Sequence, residues 1–126
     1  MRLIHTMLRV RDLDASVKFY ESIGLELVNR RELPGADATL AFMRDPKSGH
    51  DIELTYNHDG RNYDLGTGYG HIAFAVESVD DTFEAWRKHG VEFSLEPKTM
   101  QNGTRIAFAV DPTGYKIELV ERPEEA

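Results

Sequence analysis

The stretch "IHTMLRVRDLDASVKFYESIG" (residues 4–24) recurs in outline as "GHIAFAVESVDDTFEAWRKHG" (residues 70–90). A shift of 66 residues aligns a histidine, an aspartate and a glycine in the two copies: His5 with His71, Asp14 with Asp80 and Gly24 with Gly90. After a one-residue slip the alignment continues to the last apolar runs, "IEL" at 52–54 and at 117–119. The chain therefore consists of two related halves, and this duplication decides the fold.

Each half has the pattern of a strand, a helix and three further strands. The runs "HTMLRV" and "HIAFAV" are β-rich, and the segments after them change to a helical spacing of apolar residues. Each predicted helix has an N-cap, an apolar stripe and a closing glycine: Asp12, Leu13, Val17, Tyr20 and Gly24 in the first, Ser78, Val79, Phe83, Trp86 and Gly90 in the second. We expect the stripe to be core. The sequence thus predicts an α+β protein made of two tandem βαβββ modules.

We expect residues 1–126 to form a single domain whose modules cover about 1–60 and 68–126. The glycine-rich segment "HDGRNYDLGTGYG" (58–70) is predicted to join them. At 126 residues the chain is large enough to bury a substantial core without disulfides, which it could not form because it has no cysteine.

Charge and composition exclude several classes of partner. The chain has a net charge of −7 and lacks the basic stripe that binding to nucleic acids requires. No apolar run approaches the roughly 18 residues that span a bilayer, so no membrane segment is predicted. The N-terminus lacks the features of a secretory signal, and we expect a cytoplasmic protein acting on a small molecule.

Two histidines and two glutamates repeat in register. His5 and His71 begin the first strand of each half, whereas Glu53 and Glu118 lie in the last strand of each half. Each glutamate stands between Ile and Leu, so its carboxylate faces away from the side that those residues bury. Carboxylates on a partly covered sheet face are costly to desolvate unless a cation compensates them. The four side chains therefore predict a divalent metal, such as Ni, Co, Zn, Mn or Fe(II), with positions left for water or substrate.

Taken alone, one histidine at a strand start is more often structural, and one strand glutamate is usually solvent-facing. Duplication of both residues in register favours ligation. His50, His58 and His89 have no such counterpart, and we expect them to be structural or solvated.

The quoted motifs resemble glyoxalase I, the lactoylglutathione lyase family of the vicinal oxygen chelate superfamily. "HTMLRV", "FY", "LAF", "IELTYN", "LGTGYGHIAFAV" and "DPTGYKIELVE" stand in the order of its short bacterial form, nearly end to end. The resemblance implies curved mixed sheets and a homodimer with active sites at the subunit interface. His5 and Glu53 of one chain would bind the same metal as His71 and Glu118 of the other. Members that lack the long insertions of the zinc-type relatives prefer Ni or Co, so Ni²⁺ is expected first, with Co²⁺ or Zn²⁺ as alternatives.

The implied substrate is the hemithioacetal of glutathione and methylglyoxal. Its isomerisation through an enediolate gives S-lactoylglutathione and detoxifies methylglyoxal. By the family's motif Glu118 is the base and Glu53 its counterpart on the other substrate face, although the sequence itself does not separate them. Arg9 and Asn57 match residues that contact the glutamyl end, and Lys98, in the loop "EPKTMQNG", is the nearest candidate for the glycyl carboxylate. Thr67 stands where longer members carry an arginine.

Two other readings remain. The chain could be another metalloenzyme of the superfamily, an epimerase, a thiol transferase or a dioxygenase, although a fourth protein ligand disfavours the last. It could also be a metal-free dimer that sequesters a drug such as bleomycin, for which four in-register ligands have no use.

Overall fold

The computed structural model describes residues 1–123 and divides into two compact units, Met1–Asp64 and Leu65–Ala126. The boundary falls inside the predicted linker. The first unit consists of β1 (His5–Arg9), α1 (Leu13–Ser22), β2 (Glu26–Leu33), β3 (Ala38–Arg44) and β4 (Asp51–Asn57). The second consists of β5 (Ile72–Ala75), α2 (Val79–Lys88), β6 (Glu92–Thr99), β7 (Arg105–Val110) and β8 (Lys116–Glu121). The predicted βαβββ order is confirmed in both halves.

Each unit contains one four-stranded mixed sheet. The strand order is β1-β4-β3-β2 in the first sheet and β5-β8-β7-β6 in the second. The first and last strands of each half pair in parallel, and the other neighbours pair antiparallel. The repeated glutamates, Glu53 and Glu118, lie on β4 and β8. Each of these strands is therefore central, with a hydrogen-bonded neighbour on both sides.

The two helices begin and end where the sequence predicts. The Asp12 carboxylate accepts a hydrogen bond from the Ala15 amide at 3.0 Å, and the Ser78 hydroxyl accepts one from the Asp81 amide at 3.1 Å. Both caps satisfy an amide of the first helical turn. Gly24 and Gly90 follow the helices with φ of 108° and 83°, a left-handed conformation that glycine adopts without steric cost.

One face of each sheet is covered by the helix of its own unit. The predicted stripe is buried, with Tyr20 fully and Trp86 almost fully removed from solvent. Buried apolar residues of the sheets pack against the helices. They include Ala41, Met43, Ile52 and Leu54 in the first unit and Ala107, Ala109, Ile117 and Leu119 in the second. Because Ile52, Leu54 and their copies face the helices, the intervening glutamates lie on the opposite, open face.

The sequence-based reading is wrong at two boundaries. The segment "EPKTMQNG" is not one loop, because Glu96–Thr99 belong to β6 and the turn begins at Met100. Pro97 is tolerated there because β6 is an edge strand with register shifts on both sides of Leu95. His71 lies immediately before β5, which begins at Ile72.

No helix among residues 1–123 is long and apolar enough to cross a bilayer.

Removing a helix cap should lower stability without affecting the open sheet face. We expect Asp12→Ala to reduce the free energy of unfolding by about 1 kcal/mol, because the Ala15 amide loses its acceptor. Urea denaturation followed by far-UV circular dichroism measures this change. Lys18→Ala, on the exposed side of the same helix, serves as the control and should stay within about 0.5 kcal/mol of the unaltered chain. Equal effects of the two substitutions would contradict the capping role.

Candidate metal centre

In the first unit a histidine and a glutamate meet on the open sheet face. His5 Nε2 lies 3.2 Å from Glu53 Oε1. In the parallel pairing of β1 and β4, Met7 stands opposite Glu53. His5 lies two residues before Met7, so the side chains of His5 and Glu53 are on the same face of the sheet. The Glu53 side chain is only 14% exposed. A carboxylate is thus largely removed from water beside an imidazole.

The second unit repeats this arrangement. His71 Nε2 lies 3.1 Å from Glu118 Oε1, and the Glu118 side chain is 15% exposed. Ala73 takes the place of Met7 opposite the glutamate. Two half-buried His–Glu pairs of the same geometry therefore exist, one on each sheet, as the repeat predicts.

A phenylalanine packs against each imidazole. The Phe42 ring meets the His5 ring edge-on at 5.6 Å between centroids, and the Phe108 ring meets His71 at 5.2 Å. Phe42 pairs with Glu53 and Phe108 with Glu118 across their strands. Each ring therefore fixes an imidazole and covers one side of a carboxylate. The repeat "LAF"/"IAF" contains these residues, but sequence analysis assigned them no role.

The two pairs differ in what holds the second carboxylate oxygen. The buried Thr55 hydroxyl donates to Glu53 Oε2 at 2.7 Å. Strand pairing places Val120 at the corresponding position of the second unit, since Arg9 aligns with Thr55 and its copy Ala75 with Val120. Among residues 1–123, the polar partner of the Glu118 carboxylate is His71. Sequence analysis missed Thr55, although its place two residues after Glu53 puts it on the same face.

The ligand types of each His–Glu pair fit a divalent metal, but one pair alone supplies too few ligands. Each pair offers one imidazole nitrogen and one carboxylate, a combination that first-row divalent ions accept. Among residues 1–123 no group of three or more His, Asp or Glu side chains gathers around one point. A metal held by protein alone generally needs three or four ligands, so one His–Glu pair by itself does not provide a complete ligand set.

The predicted substrate-binding residues lie on the same open faces. Arg9, on β1, is exposed and aligned with Thr55, and Asn57, on β4, accepts a hydrogen bond from the Tyr63 hydroxyl at 3.1 Å. Both follow the His5–Glu53 side of their strands by alternation. Lys98 aligns with Ile106, which shares a face with Phe108, so it lies on the Glu118 side of the second sheet.

The other histidines have structural partners. His50 Nε2 lies 3.2 Å from the Thr6 hydroxyl. His58 contacts Asp37 and Thr39 at 3.0 and 2.7 Å, and His89 Nδ1 donates to the Ala85 carbonyl at 2.8 Å at the end of α2. Among the described residues, no hydrogen bond or ion pair joins any of the three to a His–Glu pair.

Comparisons with known proteins identify the family of the chain. Residues 2–119 match the model of the Glyoxalase/Bleomycin resistance protein/Dioxygenase superfamily. The chain is 46% identical to lactoylglutathione lyase of Haemophilus influenzae, covering 96% of this chain and 93% of that protein. It is 40% identical to the trypanothione-dependent glyoxalase I of Leishmania major, with a TM-score of 0.82 over 96% of this chain and 86% of that one.

Glyoxalase I of Zea mays is 39% identical, with a TM-score of 0.86 over 96% of this chain, which spans only 44% of the maize chain. The mixed βαβββ sheets are those of the glyoxalase fold, and the family implies a divalent metal. The chain belongs to the Glyoxalase/Bleomycin resistance protein/Dioxygenase superfamily, and its relatives named above are glyoxalase I enzymes.

Replacing each of the two glutamates by glutamine should change the stability of the metal-free chain by different amounts. With a chelator at pH 8, we expect Glu118→Gln to raise the free energy of unfolding by about 1 kcal/mol, because it removes a buried charge with one described partner. Glu53→Gln should gain less, because His5 and Thr55 hold both oxygens of the natural carboxylate. Urea unfolding measures both variants. A less stable Glu118→Gln chain would show that His71 alone compensates the charge.

Proposed function

We propose that the chain is a lactoylglutathione lyase that isomerises the hemithioacetal of methylglyoxal and glutathione to S-lactoylglutathione. The duplicated His–Glu pair carries this proposal, in a chain 46% identical to the Haemophilus influenzae enzyme over nearly its whole length. Neither pair is needed to hold its sheet together, since the core lies on the other face. Two costly carboxylates kept on an open face therefore have a functional purpose.

The proposed metal ligands are His5, Glu53, His71 and Glu118. Two half-sites are needed for a full ligand set, and we propose that they come from two chains of a homodimer. His5 and Glu53 of one chain would join the partner subunit's His71 and Glu118, which gives two equivalent sites at the interface. Nitrogen and oxygen donors without thiolate suit several divalent ions. Ni²⁺ is the first choice because the chain is similar to short family members without long insertions, with Co²⁺ or Zn²⁺ as alternatives.

The bound ion would act as a Lewis acid toward the two adjacent oxygens of the substrate. The protein's own task is to move a proton. Glu118 takes the proton from C1 as that C–H bond breaks, and returns it to C2. The C1 hydroxyl proton is transferred to the C2 oxygen, so that a thioester carbonyl forms at C1 and a hydroxyl group at C2. Glu118 is favoured as the base because one of its oxygens lacks a hydroxyl partner, whereas Thr55 holds Glu53 in place.

Substrate carboxylates require cations and amides on the open faces. Arg9 can grip the glutamyl carboxylate with two parallel hydrogen bonds, and Asn57 can contribute an amide beside it. Lys98 is proposed for the glycyl carboxylate on the second sheet. Cytoplasmic location remains a prediction from the sequence.

Metal and turnover test the proposal together. We expect purified protein to bind about one Ni²⁺ or Co²⁺ per chain and to form thioester from methylglyoxal and glutathione, because four N and O ligands then surround each ion. Elemental analysis and absorbance of the thioester measure these. His5→Ala or His71→Ala should lower metal content severalfold, whereas His50→Ala, the matched control, should leave it unchanged. Metal-replete protein without turnover would remove the lyase activity and leave another reaction of the superfamily.

Subunit exchange tests whether the ligands come from two chains. We expect mixtures of Glu53→Gln and Glu118→Gln to regain activity in their mixed dimers, up to about half that of the unaltered dimer. The reason is that one interface site collects both substitutions and the other is intact. Turnover after refolding the two variants together measures recovery, and differently tagged chains confirm exchange. Exchange without recovery would place each site within a single chain.

A further inference from the structure

A cavity of about 280 Å³ opens on the first sheet beside the His5–Glu53 pair. Its lining residues are Val28, Asn29, Arg31, Phe42, Arg44 and Asp51. Phe42 is shared with the metal half-site, because its ring also packs edge-on against His5. The cavity is thus a lateral extension of the candidate active site toward the edge strand β2.

The cavity holds two guanidinium groups, but only one is neutralised. Arg44 donates from Nε and Nη2 to the two carboxylate oxygens of Asp51 at 2.8 and 3.0 Å. Arg31 instead lies over the Phe42 ring, with its guanidinium carbon 5.9 Å from the ring centroid. Among residues 1–123, no carboxylate forms an ion pair with Arg31. The cavity therefore carries about one net positive charge in a protein whose net charge is −7.

Strand pairing fixes how far this charge lies from the metal ligands. Arg31 aligns with Leu40 of β3, which aligns with Thr55 of β4, so Arg31 shares the open face with Glu53. One strand separates β2 from β4, which puts their axes about 10 Å apart. A substrate with a tripeptide arm is long enough to place an anionic group on Arg31 while other atoms of the same molecule reach the proposed metal.

The second half keeps a cation in the same register. Lys98 aligns with Ile106, the copy of Leu40 under the 66-residue shift. Strand β6 reaches that register through shifts on both sides of Leu95, whereas β2 has one shift, between Leu27 and Asn29. A cation at this position of both edge strands is an observation independent of the cavity, and it points to an anionic ligand.

We propose that Arg31 binds a carboxylate of the substrate adduct in this cavity, an inference that rests on the proposed function. A planar guanidinium braced by an aromatic ring is suited to bidentate carboxylate binding. The carboxylate belongs either to the glutathione arm or to an acid-bearing side chain of the 2-oxoaldehyde. In both cases Arg31 determines specificity and takes no part in proton transfer.

Binding of an inert thioether tests the thiol arm without turnover. Titration calorimetry with S-methylglutathione should give a Kd about tenfold higher for Arg31→Gln than for the unaltered protein, with Arg31→Lys in between. Arg30→Gln is the matched control. Arg30 neighbours Arg31 but donates to Asp14 of α1 at 2.8 Å, on the helix side of the sheet. Its Kd should remain unchanged.

Two modified ligands identify the carboxylate. If the tenfold difference disappears with the glycyl ethyl ester of S-methylglutathione, Arg31 binds the glycyl carboxylate, and if it persists, Arg31 binds the glutamyl one. If Arg31→Gln leaves every thioether Kd unchanged but lowers kcat/KM about tenfold only for an aldehyde with a terminal carboxylate, the acid group is on the aldehyde.

The failure of this proposal is distinguishable from failure of the proposed function. Unchanged Kd values together with unchanged kcat/KM for both aldehydes would overturn the role of Arg31 and leave the lyase activity standing. An equal loss in Arg30→Gln would also overturn it, because the effect would then be one of net charge. Thioether binding that depends on Arg31, in metal-replete protein without turnover of methylglyoxal, would retain the anion site and remove the lyase.

Discussion

The site depends on a carboxylate that is held out of water on the open face of a sheet. Glu53 and Glu118 lie on central strands, with strands on both sides and an aromatic ring across each pair. A charge in that position is unfavourable unless an imidazole and a cation compensate it. The helices cover the other faces, where most of the apolar core lies. The structure thus keeps an electrostatic cost that a bound cation would offset.

Much of this arrangement could be predicted from the sequence because it is periodic and duplicated. The helix caps Asp12 and Ser78, the stripes ending at Tyr20 and Trp86, and the alternation around Glu53 all follow local rules that tertiary contacts did not override. Duplication removed the ambiguity of single residues, since a histidine that repeats in register is unlike His50, which bonds to Thr6. Arg9 and Asn57 were expected from the family resemblance alone, and in the structure both lie on the open face of the first sheet.

The features that sequence analysis missed depend on register and edge geometry. Lys98 was assigned to a loop, yet it lies in β6, an edge strand that accepts Pro97 because a proline there needs no amide partner. The cavity at Arg31 could not be located, because the shift in β2 changes which residues share a face. Thr55 follows simple alternation, but its hydrogen bond to Glu53 requires a rotamer that spacing does not specify.

The position of each group within its sheet also bears on how the protein can change over evolution. The carboxylates stand on inner strands, where a substitution disturbs neighbours on both sides, whereas Arg31 and Lys98 stand on outer strands that are bonded along one side only. Mutations can therefore accumulate on the outer strands with little penalty to folding. A lineage could exchange one thiol cofactor or aldehyde for another there while inheriting its reaction chemistry intact.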